Sequence, residues 1–170
     1  GRTILENFAS YRERLSLPAI DPGLDLVCAQ WGKVDLALFY VTDQAQEVPA
    51  QRRDHDTVNL GRIIQRYLAE KQENRVKKVI LCPVRKLSSV DSDEAHVFYY
   101  QELASLRASL SDIRACYVSV AAGIPILNTA LLFQAILNFG ERCFPLYVFA
   151  EGSPVSLDIG HTIVKKVLKD

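Results

Sequence analysis

Apolar and polar positions alternate along the chain in two different spacings. Nearly continuous apolar runs of strand length are separated by stretches in which apolar residues recur every three or four positions, as on one face of a helix. Continuous runs of this kind are typical of strands that a parallel sheet buries on both faces. Four strands are predicted in this way, at residues 34–41, 76–82, 114–120 and 144–149.

The helical spacing predicts the segments between these strands. Pro18 and Asp21-Pro22-Gly23 are expected to break the first helical segment, and Pro83 is expected to end the second strand. Asp91 and Glu94 stand at capping-box spacing, which marks the start of a helix. The predicted helices cover residues 4–15, a stretch that follows Asp56-Thr57, a stretch that follows Asp91, residues 125–139 and residues 163–168.

Strands and helices that alternate four times predict an α/β fold, because parallel neighbours need crossover connections. The expected architecture is a Rossmann-like open, mainly parallel sheet with helices on both faces. We expect an N-terminal helical segment over residues 1–30 and the Rossmann-like domain over residues 31–170. Because the chain opens with Gly1 and not with methionine, we expect it to be a fragment of a longer protein.

Net charge, the length of the apolar runs and the spacing of the cysteines limit the kinds of partner and ligand that the chain is expected to bind. Twenty basic side chains balance twenty acidic ones, so net charge gives no reason to expect duplex nucleic acid or an anionic membrane. The longest apolar run, residues 124–139, is shorter than the roughly 20 residues that span a bilayer. The four cysteines are far apart and lack metal-site spacing, which predicts reduced thiols in a cytoplasmic protein without a metal or cofactor. The cysteines are Cys28, Cys82, Cys116 and Cys143.

Rival catalytic chemistry finds little support in the sequence. The three histidines are isolated from one another, and the interpretation is a surface or capping role for each. His55, in a polar loop near the end of a strand, is the first suspect among them for catalysis. No Gly-x-Ser-x-Gly elbow, Walker loop or Gly-x-Gly-x-x-Gly turn is present. The other two histidines are His96 and His161.

The turn between the third strand and the following helix is the most informative stretch. Small residues at Ala121, Ala122 and Gly123 let a ligand approach the backbone, and Pro125 presets the start of the helix. In open α/β sheets, ligands collect at the carboxyl ends of the strands. Asn128, one turn into the helix, could offer an amide to a base or a phosphate. The alternative is an ordinary strand-to-helix turn without a ligand.

Polar residues follow the other strands at the same predicted edge. Thr42, Asp43 and Gln44 end the first strand, and Arg85 with Lys86 follows the second, where both cations could steer an anionic ligand.

The helix over residues 125–139 is apolar around its whole axis, so both of its sides must be covered. The sheet covers one side, and the other is covered by more of the chain or by a second copy related by a two-fold axis.

Ala121-Ala-Gly-Ile-Pro-Ile-Leu-Asn128 resembles the hallmark Thr-Gly-Gly-Thr-Pro-x-Met-Asn of the CRISPR-associated Rossmann-fold (CARF) domains, which sense cyclic oligoadenylate in type III CRISPR defence. Further similar segments occur in the expected order, and the resemblance covers roughly residues 34–150. They are Val41-Thr-Asp-Gln44, Asp56-Thr57, Phe98-Tyr-Tyr100 and Leu146-Tyr-Val148.

The resemblance implies a homodimer that binds cyclic tetra- or hexa-adenylate across paired loops and switches a fused effector, often a ribonuclease, outside this chain. It places Thr42, Asp43 and Gln44 on one edge of the pocket. The other edge is formed by Ala122, Gly123, Ile124 and Asn128.

The departures from the hallmark leave three hypotheses open. Ala121 and Ile124 replace its two threonines and Ala122 replaces its first glycine, which removes hydroxyl donors worth roughly 0.5–1.5 kcal/mol each. The chain is then a ligand-sensing dimer that uses other contacts, or a dimerisation module with a decayed pocket. The third hypothesis is a nucleotide-processing enzyme or ring nuclease, and the lost hydroxyls argue against self-contained ring cleavage.

Overall fold

The computed structural model describes residues 2–43, 57–71, 74–85, 91–120, 123–149 and 153–157. The chain is a mixed α/β protein that divides into two compact units, Gly1–Lys86 and Leu87–Asp170. Each unit contains a pair of parallel strands with a helix between them in sequence. The mixed α/β class is therefore confirmed. The single open Rossmann-like sheet and the domain boundary after residue 30 stay predictions.

The first unit begins with helices and ends with a parallel strand pair. In chain order it contains α1 (Arg2–Glu6), α2 (Phe8–Tyr11), a 3-10 turn (Arg12–Arg14), α3 (Asp21–Trp31), β1 (Ala37–Thr42), α4 (Val58–Lys71) and β2 (Val79–Val84). β1 and β2 pair in register from Ala37 opposite Val79 to Thr42 opposite Val84. Their carboxyl ends therefore lie side by side.

Two expectations about proline in this unit are wrong. Asp21-Pro22-Gly23 does not break a helix but begins α3, because proline fits the first helical turn, where its missing N–H is not needed. The Asp21 carboxylate accepts a hydrogen bond from the Leu17 backbone N–H at 2.9 Å and so fixes this start. Pro83 does not end the second strand, since β2 runs through it to Val84. Proline is tolerated in strands with a free edge, and among the described residues β2 pairs with β1 alone.

The core of the first unit lies between α4, the N-terminal helices and the strand pair. Phe8, Ile63, Ile64, Tyr67 and Leu68 are buried there together. The N-terminal residues predicted as one helix over 4–15 form α1, α2 and the 3-10 turn instead. Because Phe8 packs against α4, these short helices belong to the same core as the strands.

Helix α4 lies unusually close to β1. A Cβ atom added at Gly61 would be 2.6 Å from Cγ1 of Val41, which is closer than real Cβ contacts come. Only glycine therefore allows this approach, and it brings the start of α4 to the carboxyl end of β1.

The described residues of the second unit form two helices and a three-stranded sheet. Its elements are α5 (Ser92–Ser109), β3 (Cys116–Ser119), α6 (Pro125–Phe139), a 3-10 turn (Gly140–Arg142), β4 (Cys143–Val148) and β5 (Pro154–Ser156). β3 pairs in parallel with β4, and β4 pairs in antiparallel with β5. The sequence pattern missed β5, because three residues that begin with a proline carry no strand periodicity. The helix predicted at residues 163–168 lies outside the described residues.

The core of this unit joins both helices to the sheet. Leu103 of α5, Val118 of β3, Ala135 and Phe139 of α6, and Cys143 of β4 form one buried cluster. The predicted capping box is confirmed at its first half, since the Asp91 carboxylate accepts a hydrogen bond from the Glu94 N–H at 3.0 Å.

Candidate functional site

Three of the predicted site residues lie together at the carboxyl edge of the β1–β2 pair. Thr42 is the last residue of β1, Asp43 follows it, and Arg85 follows the last residue of β2. The Asp43 N–H donates to the Val84 carbonyl at 3.3 Å, so the pairing of the two chain segments continues past the strands. Gln44 and Lys86, predicted at the same edge, lie outside the described residues.

Thr42 is held by Thr57, the residue before α4. The backbone N–H of Thr42 donates to the Thr57 hydroxyl at 2.8 Å, and the backbone N–H of Thr57 donates to the Thr42 hydroxyl at 3.0 Å. The two hydroxyl oxygens are 3.2 Å apart and share a further hydrogen bond. This reciprocal pair, which we call the threonine clasp, joins the end of β1 to the start of α4. The sequence does not indicate this pair, because no local pattern connects residues fifteen positions apart.

Asp43 and Arg85 form an ion pair at the same edge. Nε and Nη2 of Arg85 both donate to Oδ2 of Asp43, at 2.9 and 2.8 Å. The Arg85 side chain is 64% exposed and that of Asp43 31% exposed, so water competes for the pair and its contribution to stability is about 0–1 kcal/mol. An anionic ligand could therefore draw Arg85 away at little cost, whereas the Asp43 carboxylate would repel it.

In the second unit, the turn before α6 depends on Gly123 and Asn128. Gly123 has φ of +117°, a conformation that residues with a Cβ rarely adopt. A Cβ at this position would also be 2.9 Å from Oδ1 of Asn128. Nδ2 of Asn128 donates to the Val120 carbonyl at the long distance of 3.5 Å. The Asn128 side chain thus folds back over the turn and links it to the end of β3.

Ile124 and Pro125 form the start of α6. Ile124 is the residue before the first helical turn and provides no side-chain hydrogen bond to cap it. Pro125 fits the first turn as the sequence predicts. The Ile124 side chain is partly buried. Ala121 and Ala122, the other small residues of the predicted site, lie outside the described residues.

Helices α5 and α6 share a polar contact that the sequence pattern does not predict. Nε2 of Gln134 is 3.2 Å from Nδ1 of His96, and the His96 ring packs edge-on against Phe133 at 5.5 Å. Gln134 is only 7% exposed, and its Oε1 has no hydrogen-bond partner in the described part of the chain. His96 is partly buried, so in addition to the expected surface role it contributes to packing between the two helices. A glutamine inside an apolar run is a weak signal, because the sequence does not show which side of the helix is buried.

The cysteines of the second unit do not provide a nucleophile. Burial raises the pKa of the Cys143 thiol to about 12. Burial, together with the neighbouring Cys143, raises the pKa of Cys116 to about 12. The two residues are opposite each other in β3 and β4, and both are free thiols. Because the thiolate is the reactive form, neither is a nucleophile at neutral pH.

The described residues contain neither a metal-ligand cluster nor a candidate membrane span. They contain no group of three or more histidine, cysteine, aspartate or glutamate side chains that could hold a metal ion. Within the same ranges, no helix combines the length and the apolar character needed to cross a membrane.

Comparison with known proteins adds no relative. No protein-family model, curated protein or solved structure matches the chain.

Proposed function

We propose that the chain is a sensor domain of the CARF type, which binds a cyclic oligoadenylate across a homodimer and regulates an effector domain. The observation that carries this proposal is the turn at Gly123–Asn128. It combines a left-handed glycine, a proline at the first helical position and an asparagine one turn into the helix. These three residues are the part of the CARF hallmark that this sequence retains.

The residues of the first unit add an anion-binding group to the proposal. Arg85 is exposed and, among the described residues, is held by a single carboxylate oxygen, so we propose that it binds a phosphate of the ring. The Thr42 hydroxyl is less available to a ligand, because it already accepts a hydrogen bond from the Thr57 N–H and shares another with the Thr57 hydroxyl. We propose Arg85 as the phosphate contact of the first unit.

Thermal-shift and calorimetric titration with cyclic tri-, tetra- and hexa-adenylate tests the proposal. A ring present at a hundred times its Kd should stabilise the protein by about 2.7 kcal/mol, whereas linear oligoadenylate of the same length should not. Arg85→Ala should weaken binding several-fold. Arg62→Ala removes an exposed arginine of α4 and is the matched control, with unchanged binding expected.

A second candidate function is a dimerisation module whose pocket has decayed. Two observations favour it: the Ile124 side chain is partly buried, and the Asn128 amide is engaged with the turn itself. The double variant Ala121→Thr, Ile124→Thr separates the candidates. If the wild type binds none of the rings and the variant binds one of them, the pocket of the wild type has decayed. If neither binds any ring, the CARF proposal is overturned.

A further inference from the structure

Phe149, the residue after β4, has a large apolar side chain that is half exposed at the end of a strand. Its exposed fraction is 53%. Its backbone N–H donates to the Ser153 carbonyl at 3.1 Å, which extends the antiparallel pairing of β4 with β5 beyond Val148 and Pro154. The backbone that carries this exposed ring is therefore fixed by the sheet.

The alternation of side chains along β4 places the Phe149 ring on the face of the sheet that α5 and α6 cover. Successive side chains of a strand point to opposite faces, so one face receives Cys143, Pro145, Tyr147 and Phe149. Cys143 belongs to the buried cluster that includes residues of α5 and α6, which identifies the face. Cys143 and Pro145 are fully buried and Tyr147 is partly buried. Burial on this face therefore decreases toward Phe149.

The same end of β4 lies at the sheet edge to which the Gly123 turn belongs. β3 and β4 are parallel, with Ser119 opposite Leu146, so their carboxyl ends lie side by side. The Gly123 turn and the start of α6 follow β3 after a short connection. Ligands of parallel α/β sheets bind beyond the carboxyl ends of the strands. Phe149 therefore presents an aromatic ring at the edge where the ligand is proposed to bind.

A half-exposed aromatic ring on a fixed backbone suits a planar ligand. Nucleobases stack on aromatic side chains, and each such contact strengthens binding roughly 5- to 150-fold. The phenylalanine ring has neither a charge nor a hydrogen-bond donor, so it suits a base and not a phosphate. Ala121 and Ile124 lack the hydroxyls of the hallmark, so a ligand at this turn needs contacts of another kind.

We infer that Phe149 is the platform on which an adenine base of the ring stacks. The inference rests on the proposed function and deepens it by naming a base contact in the second unit.

Calorimetric titration of the wild type, Phe149→Leu, Phe149→Tyr and Trp31→Leu with cyclic tetra- and hexa-adenylate tests the inference. Phe149→Leu keeps an apolar side chain but removes the ring, so it should weaken binding at least about fivefold. Phe149→Tyr keeps a ring that can stack and should bind like the wild type. Trp31 is the matched control, because it is an aromatic residue of α3 that is 39% exposed, and Trp31→Leu should leave binding unchanged.

Fluorescence gives a second measurement, which does not depend on the Phe149→Leu variant folding. Trp31 is the only tryptophan of the chain, so the double variant Trp31→Phe, Phe149→Trp reports from position 149 alone. A stacked base should quench its emission as the ring is added.

Each result decides a different statement. If Phe149→Leu binds a ring as tightly as Trp31→Leu does, or if a saturating ring leaves the emission of the double variant unchanged, the stacking inference is overturned and the proposed function stands. If the wild type binds neither ring, both are overturned.

Discussion

At the scale of single residues, side chains expected to bind a ligand have structural contacts of their own. A threonine hydroxyl donates once and accepts twice. The Thr42 hydroxyl already accepts from the Thr57 N–H and shares a hydrogen bond with the Thr57 hydroxyl. Asn128 likewise spans the turn between Val120 and Gly123. A substitution of either residue therefore changes the frame of the candidate site as well as any contact with a ligand.

Gly123 gives the sharpest prediction at this scale. Gly123→Ala should lower the free energy of unfolding by about 2 kcal/mol or more, because φ of +117° is strained for alanine and the new Cβ meets Oδ1 of Asn128 at 2.9 Å. Urea unfolding at neutral pH measures the change.

Removing Asn128 separates the two causes. In an Asn128→Ala background the side-chain contact is gone and only the backbone strain remains, so Gly123→Ala should cost less there, by at least about 0.5 kcal/mol. A loss below about 0.5 kcal/mol in the wild-type background would contradict the left-handed conformation of Gly123.

At the scale of helices and strands, the sequence pattern predicted the strands of both parallel pairs and the start of α5. Apolar runs predicted β1, β2, β3 and β4 to within a few residues, and the spacing of Asp91 and Glu94 predicted the start of α5. These features are determined by residues close together in the sequence, so a local sequence pattern can predict them.

The errors have two physical origins, the local position of proline and contacts between distant residues. The sequence predicts breaks at Pro22 and Pro83, although the first turn of α3 and a strand with a free edge tolerate proline. The threonine clasp and the His96–Gln134 contact join residues fifteen and thirty-eight positions apart. No local pattern specifies such pairs, so the site could be predicted as residues near strand ends but not as contacts.

Burial of the Cys116 and Cys143 thiols should make the protein less stable at alkaline pH. Cys116 and Cys143 lie opposite each other with pKa values of about 12, whereas an unfolded cysteine has a pKa of about 8.5. Below the unfolded pKa both states keep the protons, and the thiols contribute fully to stability. Between about pH 9 and 12 the unfolded state loses its protons first, so the free energy of unfolding should fall by up to about 1.4 kcal/mol per pH unit for each thiol.

Urea unfolding from pH 7 to 10.5 measures this dependence. Lysines and tyrosines titrate in the same range, so the informative quantity is the difference between the wild type and Cys143→Ala. The variant should lose stability less steeply above pH 9 and show the same flat profile near pH 7. Equal slopes above pH 9 would contradict burial of the Cys143 thiol.

At the scale of the whole molecule, the candidate residues belong to two separate units. Arg85 and the threonine clasp belong to the first unit, and the Gly123 turn belongs to the second. Each unit builds its part on the same local plan, a parallel strand pair with a helix between the strands in sequence. Ligand binding and self-association are two properties that can be measured separately.

These two properties should be coupled if a ring lies across a dimer. Because each copy would supply only part of the ring pocket, ring-induced stabilisation should depend on protein concentration. Thermal-shift titration at protein concentrations above and below the dimer Kd measures the effect, and the wild type should respond more weakly to the ring when it is dilute. Dilute, monomeric protein that the ring stabilises as much as it stabilises concentrated protein would mean that one copy holds the whole ligand.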